Sequence, residues 1–226
     1  MDWTTPIDAY CERLGPEFWS EPVNAITNGA FLLAAVAAWM LWRRQAAGDG
    51  GTLFLIVVVA CVGIGSFLFH TVATRWAALA DVLPIAVFIY AYFFLAMRRI
   101  LRLGLAWSIG LTLGFLAASY GVAPLLSGVL GSSAGYAPAA LAIFAVAAVA
   151  ARRCPPASAP LALTGAIFVI SLAFRTSDIP FCPSFPLGTH FVWHCLNALV
   201  LYLLIRILVL AAPVYRAVDR TDTNSR

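Results

Sequence analysis

The chain has 226 residues, of which 62% are hydrophobic and only 11% charged, with 14 basic side chains against 10 acidic ones and a formal charge of +4. So apolar a composition excludes an ordinary soluble domain and points to a polytopic membrane protein. No lysine occurs, every basic residue being arginine, which excludes a retinal-type protein that needs a Schiff-base lysine.

The first twenty residues are acidic and polar rather than basic and then apolar, so no cleavable signal is expected and the first span is expected to serve as its own insertion signal. A bilayer core asks for roughly 20 apolar residues per helix. Reading for such runs predicts an all-α, seven-transmembrane helix bundle, with spans near Val23 to Trp42, Leu53 to Val72, Ala77 to Met97, Leu103 to Tyr120, Tyr136 to Ala151, Pro160 to Phe174 and Thr189 to Ala212. The fifth and sixth are short, and only the Gly/Ser-rich "LLSGVLGSSAG" separates the fourth from the fifth. The expected organisation is an extracytoplasmic segment 1–22, a membrane domain 23–212 and a cytoplasmic tail 213–226.

Arginines near span ends resist translocation and so report orientation. With seven spans, one side collects Arg43, Arg44, Arg98, Arg99, Arg102, Arg152, Arg153, Arg206, Arg216, Arg220 and Arg226. The other keeps Arg13, Arg75 and Arg175 beside Asp2, Asp8, Glu12, Glu17, Glu21 and Asp178. The N-terminus is therefore expected outside and the C-terminus in the cytoplasm. The inside-facing arginines account for the net charge, and no nucleic-acid signature, repeat or separate soluble domain is visible.

Polar groups inside spans are costly and so mark function. All three histidines fall in apolar segments: His70 late in the second span, and His190 and His194 at the start of the seventh. Asp81 is the only acid within a span, and Ser66 stands one turn before His70 in "GIGSFLFH". Given the alternating direction of the spans, all five lie in the outer third of the bilayer. The pairs Ser66/His70 and His190/His194 are each spaced i, i+4 and share a helix face.

Three imidazoles with an open fourth position make a catalytic zinc set, and H-x-x-x-H supplies two ligands from one helix. A metal so held lowers the pKa of bound water and polarises a carbonyl. The plainer alternative is a hydrogen-bonded packing cluster. Asp81 fits either proton transfer or the orientation of a ligating histidine. Ser66 fits either a functional hydroxyl or a bond to the carbonyl one turn back. Gly63 and Gly65 suit close helix packing, and Asn24 and Asn28 suit hydrogen bonds between helices.

"GIGSFLFHTVATRWAALADVLP", the closing "HFVWH" and the opening "EPVNAITN" together resemble the alkaline ceramidases, members of the CREST group of seven-span membrane hydrolases that also includes the progestin and adipoQ receptors. The resemblance runs from about Asp8 to Leu210. It implies zinc on His70, His190 and His194, Asp81 acting on the attacking water, Ser66 stabilising the oxyanion, and hydrolysis of the ceramide amide to a sphingoid base and a fatty acid. Val82 departs from the family, which has an acid there. The family's acidic calcium loop is matched only loosely by "DAYCERLGPEFWSEPVNA", where Asp8, Glu12 and Glu21 are the candidate calcium ligands; a solvated acidic loop is the alternative. Cys11 and Cys182 are the two cysteines expected outside, and a bridge between them would parallel one in the family. Cys61, Cys154 and Cys195 are expected to be free.

The expected partner is a ceramide-like membrane lipid, with no obligate protein partner. A glycerolipid-remodelling esterase is the nearest other enzyme. A zinc-containing receptor of the progestin and adipoQ type is the non-enzymatic alternative, disfavoured by short loops and a short tail. Zinc transport lacks polar groups past mid-membrane. The arginine-only, alanine-rich composition suggests a bacterial source, an inner-membrane location and an active site towards the periplasm.

Overall fold

The computed structural model describes residues 2–223, with side chains described through residue 210. Arg226 therefore lies outside the described residues, as do the side chains of Arg216 and Arg220. The fold is entirely helical: α1 (Pro22–Thr27), α2 (Gly29–Gln45), α3 (Gly50–Val72), α4 (Arg75–Arg99), α5 (Leu105–Leu130), a 3₁₀ segment (Gly131–Tyr136), α6 (Ala137–Arg153), α7 (Pro155–Phe181) and α8 (His190–Thr223).

Local chemistry explains the boundaries. Pro22 opens α1, where its missing N–H costs nothing, and the carboxylate of Glu12 accepts the N–H groups of Val23 and Asn24 at 2.7 and 2.8 Å. A distant acid thus caps the helix that enters the membrane first. Asp49 caps α3 by accepting from Thr52 N at 3.1 Å, and Arg99 clasps the same carboxylate with both terminal nitrogens. α5 ends at Gly131, whose positive φ of 50° stops the helix inside the Gly/Ser-rich stretch. Pro84, Pro124, Pro160 and Pro180 all sit within helices that continue through them.

Among the described residues, six helical stretches are long and apolar enough to cross a membrane, which makes this a multi-pass membrane protein. The difference from the expected count lies in Leu105–Arg153, a run of 49 residues in which the fourth and fifth expected spans are joined through the 3₁₀ turn. The sixth expected span is longer than its apolar core, because α7 runs from Pro155 to Phe181.

α2 packs on α3 and α8, α3 on α4, α6 on α7, and α7 on α8, while α8 also touches α3 and α4. The core holds Phe31, Leu55, Phe88, Leu161, Ile205 and Leu208, whereas Leu33, Leu113, Leu125 and Val129 point outwards, as bilayer-facing residues do. Gly65 lets α3 approach α4: a Cβ there would overlap the carbonyl of Ala80. Gly63 faces Phe31 and the Asn28 carbonyl of the first membrane-entering run. Asn28 bonds the Asn24 carbonyl within its own run at 2.8 Å, so it does not bridge helices as expected.

The N-terminal segment lies over the turn between α3 and α4. Ile7 N–H bonds the Ala73 carbonyl, and Arg75 and Trp76 donate to Thr5 and Trp3. Cys11 is disulfide-bonded to Cys182 beyond α7, with Cα atoms 5.5 Å apart. Cys61, Cys154 and Cys195 are free.

Candidate metal centre

Three helix ends converge beneath that segment. His70 comes from the last turn of α3, Asp81 from the second turn of α4, and His190 and His194 from the first turns of α8. The three imidazoles are buried, and one ligand nitrogen from each lies within 4.8 Å of the others. Asp81 and Ser66 are buried beside them, the carboxylate within reach of both Ser66 and His70.

The ring nitrogens divide into held and free. His70 Nδ1 meets Glu21 Oε2 at 2.5 Å, and His194 Nδ1 meets Thr27 Oγ1 at 2.9 Å. Because the Thr27 hydroxyl also donates to the Val23 carbonyl at 2.8 Å, the His194 bond is satisfied with Nδ1 donating. A carboxylate can only accept, so His70 Nδ1 donates as well. In a neutral imidazole a donating Nδ1 leaves Nε2 with its lone pair, and His70 Nε2 and His194 Nε2 have no partner in the protein; neither does His190 Nδ1. Buried imidazole nitrogens are seldom left so. Anchoring one nitrogen by hydrogen bond and offering the other is how metal-ligating histidines are oriented.

His190 is fixed differently. Its ring lies between Tyr10 and Trp193, with centroids 3.7 and 4.9 Å away. Its backbone N–H and that of Thr189 donate to Asp178 Oδ1, while Cys11 N–H donates to Oδ2. Asp178 thus caps α8 and ties it to the N-terminal segment. Gly188, at φ 67°, is needed there because a Cβ would overlap Asp178 Oδ1.

The acids named as calcium ligands are not brought into one cage. The only grouping of three or more metal-capable side chains among the described residues is the histidine triad. Asp8 is exposed, Glu12 caps α1, and Glu21 is shared by Arg13 Nε at 2.5 Å, His70 and Asn24. The guanidinium of Arg13 is the cation that faces Glu21, and it also donates to the carbonyls of Gly15 and His70. Burial acts to raise the Glu21 carboxyl, but the bonds from His70 and Arg13 outweigh it and hold it below the usual carboxylate range.

Sequence reasoning named the histidines, Asp81 and Ser66, but missed Arg13, Thr27, Asp178 and Tyr10 as their supports. The signal for Thr27 lay in "EPVNAITN", two turns into the first membrane-entering run. The signal for Asp178 was the start of α8, whose free N–H groups follow a glycine and therefore need an acceptor from elsewhere.

A helical membrane protein with a buried three-histidine site is the class that fold and site define. The chain belongs to the ceramidase family: the family model, described as Ceramidase, matches residues 9–223, the whole bundle and the N-terminal segment from just before Tyr10. That family implies a hydrolase of amide bonds acting on a lipid substrate. No curated protein matches the chain.

Proposed function

We propose that this protein is a zinc-dependent integral-membrane amidase that hydrolyses the N-acyl amide of ceramide or a closely related lipid to a sphingoid base and a free fatty acid. The observation that carries the reading is the set of three buried imidazoles with unpartnered ring nitrogens beside Asp81 and Ser66. The donor set suits zinc, since three neutral nitrogens leave a fourth position open. Charge supports it as well. The buried carboxylates of Glu12, Glu21, Asp81 and Asp178 outnumber the one buried guanidinium among the described residues, that of Arg13, and a divalent ion offsets part of that excess.

Zinc, when bound, supplies Lewis acidity towards water and the amide carbonyl. The chain's own groups do the rest. His70 and His194 keep their Nε2 lone pairs available because Glu21 and Thr27 hold the Nδ1 protons. Asp81, whose Oδ1 has no partner, takes a proton from the attacking water and returns it to the leaving amine. Ser66 Oγ, also unpartnered, donates to the oxygen that becomes negative at the former carbonyl. The low exposure of all five groups excludes bulk water and strengthens these contacts.

The Leu105–Arg153 run reads as two crossings, because 49 residues of helix span about 74 Å, more than twice a hydrocarbon core of about 30 Å. On a seven-crossing reading the arginine bias favours 1–22 outside and 213–226 in the cytoplasm, with the membrane domain 23–212 between them. For a bacterial inner membrane the site then opens towards the periplasm.

The test is elemental analysis and ceramide hydrolysis on purified protein, with a diacylated glycerolipid as control and a His190→Ala/His194→Ala variant beside it. About one zinc per chain, with ceramide cleavage, both lost in the variant, is the expected result. Wild-type protein that cleaves only the glycerolipid, or cleaves ceramide fully without zinc, would overturn the reading.

A further inference from the structure

Arg175, on α7 six residues before its end, is a cation that the chemistry above does not use. Among the described residues it pairs with no carboxylate. Its Nη1 donates to Ser132 Oγ at 2.6 Å and its Nη2 to Tyr10 Oη at 3.2 Å, both neutral acceptors, while Nε is enclosed without a partner. The guanidinium lies over the rings of Tyr136 and Trp193, 5.1 and 5.5 Å from their centroids. Tyr10 and Trp193 are the two rings that sandwich His190. One aromatic layer therefore separates this charge from a candidate metal ligand.

A guanidinium enclosed at the end of an apolar run is expensive unless something neutralises it. Here the planar fork is pre-set by stacking and by Tyr10, and its Nη1 end reaches the exposed hydroxyl of Ser132. Guanidinium plus hydroxyl is a donor set for tetrahedral oxyanions. Nearby is a groove lined by Leu130, Phe144, Val169 and Leu172, with Ser133 and Thr176 also in its wall, bonded to each other at 2.8 Å; these two residues directly follow Ser132 and Arg175 in the chain. Acyl-chain space neighbouring a fixed cation suits an anionic lipid.

We propose that Arg175 and Ser132 bind the phosphate of a lipid headgroup at the rim of the three-histidine site. The phosphate belongs either to the substrate itself or to a resident phospholipid that completes the rim. Binding is independent of the amidase reading; only the choice between those two sources rests on it.

The experiment uses the full chain in neutral detergent. Native mass spectrometry compares retention of phosphatidic acid with that of diacylglycerol for wild type, R175Q, R175K and S132A. Wild type should prefer phosphatidic acid by about tenfold or more, R175Q should lose that preference, and R175K and S132A should keep part of it. Zinc content should be equal in all four. Equal retention of both lipids by wild type, or an R175Q and S132A that retain phosphatidic acid as wild type does, would overturn the proposal. Hydrolysis of ceramide and of its 1-phosphate then assigns the source. An Arg175-dependent gain in kcat/KM for the phosphorylated lipid makes the phosphate the substrate's; stimulation of ceramide hydrolysis by added phosphatidic acid, absent in R175Q, makes it a resident lipid's. Selective retention with no hydrolysis of any amide leaves the phosphate site standing and removes the amidase reading, whereas hydrolysis without selective retention does the reverse.

Discussion

Replacing Glu21 with alanine separates the metal-orienting role proposed for the N-terminal segment from its structural one. The carboxylate is buried with Arg13 on one oxygen and His70 Nδ1 and Asn24 on the other. Its loss strips a ligand histidine of the bond that fixes its tautomer, which lowers zinc affinity by about 10- to 100-fold. The same change leaves Arg13 buried without its counter-charge, a cost of about 3 to 5 kcal/mol, softened because Arg13 keeps the Gly15 and His70 carbonyls. Two assays read the two effects: chelator competition for zinc affinity, and thermal unfolding of the zinc-free protein for stability. Glu21→Gln keeps an acceptor for His70 but loses the charge, so it should lose stability while its zinc affinity falls less than that of Glu21→Ala. Folded Glu21→Ala protein that holds zinc within about twofold of wild type would refute the orienting role.

Asp81→Asn should lower ceramide turnover by about 10²- to 10⁴-fold, and Ser66→Ala by about 10²- to 10³-fold, with zinc content unchanged in both by elemental analysis. Gly65→Ala places a methyl against the Ala80 carbonyl and must push α4, and with it Asp81, off α3; a stability loss of about 1 to 3 kcal/mol and reduced turnover with zinc retained are expected, while Gly114→Ala, in open space, serves as a neutral control. Asp49→Ala removes a helix cap and the partner of Arg99, costing about 1 to 2 kcal/mol at neutral pH in thermal unfolding. Burial alone would raise the Asp49 carboxyl, but bonds from Arg99 and Thr52 hold it below its ordinary 3.8. A depressed carboxylate stabilises above its unfolded pKa and loses that contribution as pH falls through the folded value, so the gap between wild type and variant should close only below pH 3.8.

The sequence shows most plainly what a bilayer makes costly. Three histidines and one acid in apolar runs stand out because lipid offers them no partner, and helix periodicity then puts Ser66 with His70 and His190 with His194 on common faces. What holds them in place is less legible, for a physical reason. Glu21, Arg13 and Asp178 lie in segments outside the apolar runs, where charged residues are ordinary and carry no signal until the fold covers them. Glu21 was picked out as an acid in an acidic loop, yet its role depends on Arg13, whose guanidinium reaches it only after the segment folds over α3. The 49-residue run was hard to divide for the same kind of reason. A glycine at positive φ turns the chain without any polar residue to mark the place.

The proton positions on the imidazoles explain why those supports are charged at all. Apolar packing could set the spacing of α3, α4 and α8, but it cannot fix which imidazole nitrogen carries a proton. That requires acceptors of defined direction, and an acceptor strong enough to hold His70 Nδ1 as a donor is a carboxylate. A buried carboxylate in turn needs a counter-ion, which Arg13 provides for Glu21, while Asp178 and Glu12 are satisfied by helix-terminal N–H groups. Each acid therefore neutralises a feature the helices cannot avoid, whether an open N-terminus or an imidazole proton. Asp81 differs, since no helix terminus or imidazole proton occupies its Oδ1, which meets nothing in the protein. An oxygen so left beside three oriented imidazoles is what the proposed proton-transfer role of Asp81 requires, and the surrounding network leaves it available.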